Sequence, residues 1–129
     1  MDQARSLYES IGGDETFRRL VDAFYRHIEA EPFLRALFPA DMTPGKEGQF
    51  LFLTQYFGGP QRYTEQRGRP FLRMRHMPFA IGEPERDAWV GHMLAAIDEV
   101  GIPEPYRAVM REYFERGATF MINQVPPKV

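Results

Sequence analysis

Between Gly12-Gly13 and Pro32 the apolar residues recur with a helical period. Phe17, Leu20, Val21, Phe24, Tyr25 and Ile28 fall at i, i+3, i+4, i+7, i+8 and i+11. An α-helix sets all six on one side, whereas a strand scatters them over both faces. Such a stripe has to be buried against other elements, and no segment of the chain alternates with period two for long enough to be a strand. The expected fold is therefore all-α.

The breaks between helices are as informative as the stripes. Gly12-Gly13 ends a short first helix carrying Ala4, Leu7, Tyr8 and Ile11, and Asp14 is the expected N-cap of the next. After Pro32, residues 33–38 suggest a further turn closed by Pro39. Thr43-Pro44 reads as a cap followed by proline in the first helical turn, opening a helix through Phe50, Phe52, Leu53, Tyr56 and Phe57 to Gly58-Gly59-Pro60. Residues 60–69 are polar and predict a loop. A two-turn helix between Pro70 and Pro78 carries Phe71, Leu72 and His76. A helix from Pro84 carries Trp89, Met93, Ala96, Ile97 and Val100, ending at Gly101. A last one carries Tyr106, Met110, Tyr113, Phe114, Gly117, Phe120 and Met121, ending near Asn123. One domain over residues 1–124 with a frayed tail at 125–129 is the expected organisation.

Composition narrows the function classes. The 129 residues contain 43% hydrophobic side chains, enough for a core and against disorder. Eleven Phe and seven Met suit an irregular apolar cavity, although an aromatic-rich core alone would use them too. A net charge of −2 lacks the basic footprint of a nucleic-acid binder, so the run Arg67-Gly68-Arg69-Pro70-Phe71-Leu72-Arg73-Met74-Arg75 needs its own account. With no cysteine, disulfides, thiolate metal sites and covalent haem attachment are excluded. Neither a secretory leader nor an apolar run of membrane-crossing length is evident, so a soluble cytoplasmic protein is expected.

Few residues suggest chemistry by themselves. The three histidines, His27, His76 and His92, show no zinc or calcium spacing. His27 is expected at the solvent edge of its stripe and His92 at a helix interface, and periodicity does not favour His76 over either. Polar groups on apolar faces say more. Gln49 shares a face with Phe52, Leu53 and Tyr56, and Tyr25 lies on the strongest stripe. A buried amide or hydroxyl without a partner costs about 1–3 kcal/mol, so each pairs within the core or meets something polar there.

Seven segments together carry a resemblance. They are Leu7–Gly13, Phe24-Tyr25, Leu37-Phe38-Pro39, Phe52–Pro60, Tyr63–Gly68, Leu72–Phe79 and Glu85–Trp89. In order and across almost the whole chain, they resemble the bacterial truncated haemoglobins of group II. The resemblance implies a two-over-two helical sandwich around a non-covalent haem b, with His76 as proximal iron ligand. It maps Tyr25, Gln49 and Trp89 to the distal side, where O–H and N–H donors stabilise a diatomic ligand that draws charge from iron. It sets Phe38, Gly45, Phe52, Leu53, Leu72, Phe79 and Met93 around the haem. Phe38 stands where some members carry a second tyrosine, and Gly45 is expected to leave an entry route open. Arg75, and less directly Tyr63 and Arg69, are the expected partners of the haem propionates.

The implied function is reversible binding of dioxygen, as in oxygen carriage, or of nitric oxide, carbon monoxide or peroxide. Three distal donors predict slow release, which suits redox turnover better than delivery. A nitric oxide dioxygenase or peroxidase-like enzyme served by an external reductase is therefore the alternative, and a cofactor-free helical interaction module is a third class. No nucleic acid or membrane partner is expected, and the chain is expected as a monomer or homodimer.

Overall fold

The computed structural model describes residues 5–124, so the tail expected at 125–129 lies outside the described residues. Eight helices follow in order: α1 Leu7–Ser10, α2 Gly13–Ala30, α3 Pro32–Arg35, α4 Thr43–Tyr56, α5 Arg62–Arg67, α6 Leu72–His76, α7 Glu83–Val100 and α8 Tyr106–Phe120. Among the described residues there is no strand.

The four long helices make the sandwich. α2 packs on both α4 and α7, and α7 packs on α8. The α2 stripe is buried throughout, with Phe17, Leu20, Val21, Phe24 and Ile28 fully so. It meets Leu51 and Leu53 of α4, Met93, Ala96 and Ile97 of α7, and Met110 and Phe114 of α8 in one core. Burying each such side chain is worth about 1.5–3 kcal/mol, which makes this layer the main source of stability.

Local details depart from the sequence expectations for identifiable reasons. Gly12 takes φ +113°, where a Cβ would stand 2.4 Å from Thr16 Oγ1, and α2 begins directly after it. Asp14 therefore lies inside the first turn rather than at the cap. Its carboxylate accepts from Tyr8 Oη at 2.7 Å and from Arg62 Nη2 at 2.6 Å, joining α1, α2 and α5. Met42, not Thr43, caps α4.

The expected loop at 60–69 contains α5. Tyr63 is its one buried residue, so it shows no stripe. What holds it is polar: Gln55 Nε2 donates to Thr64 Oγ1 at 2.7 Å while Thr64 N donates to Gln55 Oε1 at 2.9 Å. α8 ends at Phe120, and Asn123 turns back to pair with Ile81. None of the described helices is long and apolar enough to cross a membrane.

Candidate functional site

α6 is the least conventional element of the fold. None of its residues is buried, and its cap Phe71 has left-handed backbone at φ 44°, a strained choice for an aromatic residue. His76 closes this helix. Its Nδ1 lies 2.6 Å from the carbonyl oxygen of Leu72, one turn back. A carbonyl only accepts, so Nδ1 carries the proton, and in the neutral ring Nε2 is left with a free lone pair.

His76 lines a cavity of about 480 Å³ between α2, α4, α6, α7 and α8. That volume falls in the usual range of roughly 300–1,000 Å³ for small-molecule and cofactor sites. Tyr25, Phe38, Gly45, Gln49, Phe52, Leu53, Tyr63, Leu72, Arg75, Phe79 and Trp89 line it as well. Met93 and Arg69 do not. Met93 is fully buried in the core one turn beyond Trp89, and Arg69 is exposed outside the cavity. His27 and His92 also stand elsewhere, stacked on each other at 6.1 Å across the α2–α7 interface. His27, expected in solvent, is half-buried and approaches Glu99 at 3.5 Å, while His92 approaches Glu31 at 3.2 Å.

The polar groups in the wall are short of partners. Gln49 Oε1 is buried and accepts no hydrogen bond from the described residues. Turning the amide over exchanges Oε1 and Nε2, so this side chain can present either an acceptor or a donor to the cavity. Tyr25 is flanked by rings, Phe24 at 5.4 Å and Phe38 at 5.9 Å. Burial alone pushes its phenol up to about 12, so it remains an O–H donor across the physiological range. Trp89 packs between Phe24 at 5.2 Å and Phe114 at 5.8 Å. Gly45 adjoins this group, since a Cβ there would meet the Tyr25 hydroxyl at 3.3 Å. Bulk at 45 thus presses on Tyr25 as well as narrowing any route past it.

The cationic edge contains a residue that sequence reasoning missed. Arg67 lines the cavity and lies against Gly48, where a Cβ would stand 2.5 Å from its guanidinium. The missing side chain at 48 was a legible sign of close approach, although not of what approaches. Arg67 donates to Pro44 O at 3.3 Å, and Arg75 donates to Pro70 O at 2.7 Å and Arg67 O at 3.4 Å. All these acceptors are neutral, and among the described residues neither cation meets a carboxylate. Arg86, also missed, is spoken for by Asp87, Glu115 and Thr119. Leu34, Leu37, Ile81, Tyr113, Phe114 and Met121 complete apolar wall that stripes alone could not separate from core.

An apolar slot with one free imidazole nitrogen, an orphaned amide and two uncompensated cations at its edge fits a flat, iron-bearing, dicarboxylate cofactor. The comparisons agree. The profile of the bacterial-like globin family matches residues 6–123. This chain belongs to that family. Within it, the similarity is to the group II truncated haemoglobins. The group 2 truncated haemoglobin YjbI of Bacillus subtilis (strain 168) is 44% identical over 117 residues, covering 91% of this chain and 88% of the relative. The haemoglobin of the thermophilic phototroph Chloroflexus aurantiacus superposes with a TM-score of 0.92 at 61% identity, covering 94% of this chain and all of that one. A truncated oxygen-avid haemoglobin from Bacillus subtilis superposes at 0.88 with 42% identity, covering 92% and 100%. The two-over-two globin fold follows, and membership implies a haem cofactor that binds diatomic ligands.

Proposed function

We propose that the cavity of this truncated haemoglobin holds haem b non-covalently, with His76 Nε2 as proximal ligand, and that the protein binds dioxygen tightly and reversibly. The observation that carries this reading is the state of His76: the Leu72 carbonyl fixes its tautomer and leaves Nε2 as the available lone pair at the cavity. Bound haem supplies a ferrous iron able to take a diatomic gas. Tyr25, Gln49 and Trp89 then donate hydrogen bonds to that gas, and the apolar wall from Phe38, Phe52, Leu53, Leu72 and Phe79 keeps bulk water from competing. Arg67 and Arg75 take the propionates, the guanidinium fork matching a carboxylate in two places. The oxygen-avid relative from Bacillus subtilis supports the same direction.

The test is stopped-flow measurement of oxygen release from the ferrous protein. A neutral hydrogen bond contributes about 0.5–1.5 kcal/mol, so Tyr25→Phe and Trp89→Phe should each speed release by roughly 2- to 12-fold. The combined effect should be less than the product, because the donors share one small ligand. Release unaltered in both variants would remove the distal reading. The same instrument separates storage from turnover: rapid consumption of nitric oxide by the oxygenated protein assigns a dioxygenase role, and slow consumption leaves binding.

A further inference from the structure

We propose that Asn123, beyond the end of α8, is a positioning residue for the proximal histidine. This rests on the reading of His76 as iron ligand and adds the element that holds it still.

α6 lacks every ordinary means of staying in place. Its five residues bury no side chain, it shares no extended face with another helix, and it starts from strained backbone at Phe71. Met74 and Met77 point outward, each more than half exposed. Without tertiary support a helix of this length does not persist in water. Yet a ligand to iron has to be held within a fraction of an ångström.

The chain after α8 supplies the support. Asn123 Nδ2 donates to the carbonyl of His76 itself at 3.3 Å and to that of Phe79 at 2.8 Å. Its Oδ1 accepts from Ile81 N at 2.9 Å, so one amide spans the segment from His76 to Ile81. The backbone continues the clamp, Asn123 N and Gln124 N both donating to Ile81 O, at 2.8 and 3.0 Å. From the other side Arg73 of α6 reaches back, donating to Phe120 O at 3.2 Å and Ile122 O at 3.3 Å. The His76 carbonyl is thus tied to residue 123 while its ring is tied to Leu72, and backbone and ring are held from two directions. Aspartate would keep the acceptor for Ile81 N but lose both donors, and alanine loses all three bonds.

The experiment compares wild type with Asn123→Ala, Asn123→Asp, Arg73→Ala, Arg62→Ala and His76→Ala. The readouts are the iron–histidine stretching band of the ferrous protein in resonance Raman and the rate of haem transfer to apomyoglobin. Both Asn123 variants should broaden or shift the band and speed haem loss by about tenfold, as two hydrogen bonds of ordinary strength imply. Arg73→Ala, an exposed change that leaves the core intact, should move both readouts in the same direction by less. Arg62→Ala, which breaks the remote Asp14 pair, should lower Tm and leave the band unmoved. Wild-type band and haem loss in the Asn123 variants, or in Arg73→Ala should they not fold, would overturn the positioning role. Persistence of the band in His76→Ala would instead overturn the ligand reading beneath it.

Discussion

Gln49 and Tyr25 are costly residues to keep where they stand. The orphaned Oε1 of Gln49 implies that the haem-free protein carries a penalty of about 1–3 kcal/mol at this position. Gln49→Leu, similar in volume, should therefore raise the Tm of the apoprotein while speeding oxygen release from the loaded one. Thermal unfolding of the two apoproteins checks the first half, and a lower Tm in the variant would contradict it. Tyr25 predicts a pH profile. An ordinary tyrosine is half ionised near pH 10, but burial pushes this phenol up to about 12, so its donor survives well above the ordinary value. Oxygen release should stay flat from pH 7 to about 10 and accelerate only beyond. An inflection near 10 would show that the phenol is solvated.

At the scale of elements, polar ties do what short helices cannot do by packing. The Asp14–Arg62 pair joins α2 to α5, and the Arg62 hydrogen bonds hold the Asp14 carboxyl below the usual carboxylate range. A lowered folded pKa stabilises the fold above the unfolded value, and that contribution is lost as pH falls through the folded one. The Tm difference between wild type and Asp14→Asn should thus be widest above pH 5 and close progressively below about pH 4. A difference independent of pH would mean the pair contributes no charge term. The same polar ties explain what was legible in the sequence. α2 announced itself because burial repeats with the helical period, so its six stripe residues and its boundaries were readable to within a residue or two. α5 left no such mark, since Tyr63 is its one buried residue and its holding bonds come from Gln55 and Asp14, distant in sequence. α6 has no buried residue at all, which is why periodicity could not raise His76 above His27 and His92.

For the whole molecule, the stripes of α2, α4, α7 and α8 contain more apolar surface than a four-helix core needs, and the surplus lines a cavity. A stripe cannot say which of its members face the core and which face the cofactor. Met93 and Trp89 sit one turn apart on α7, one in the core and the other at the cavity wall. Only the family resemblance separated wall from core, and it erred at Met93. It did not reach Arg67 or Asn123, whose roles depend on chain segments brought together from far apart. The account as a whole depends on one bond, between iron and the Nε2 of His76. Its most direct test is reconstitution of His76→Ala, His27→Ala and His92→Ala with haemin, followed by the ferrous spectrum of each. The expected result is a stable five-coordinate ferrous spectrum in the His27 and His92 variants, and loss of stably held haem in His76→Ala alone. A native spectrum in His76→Ala would contradict the account.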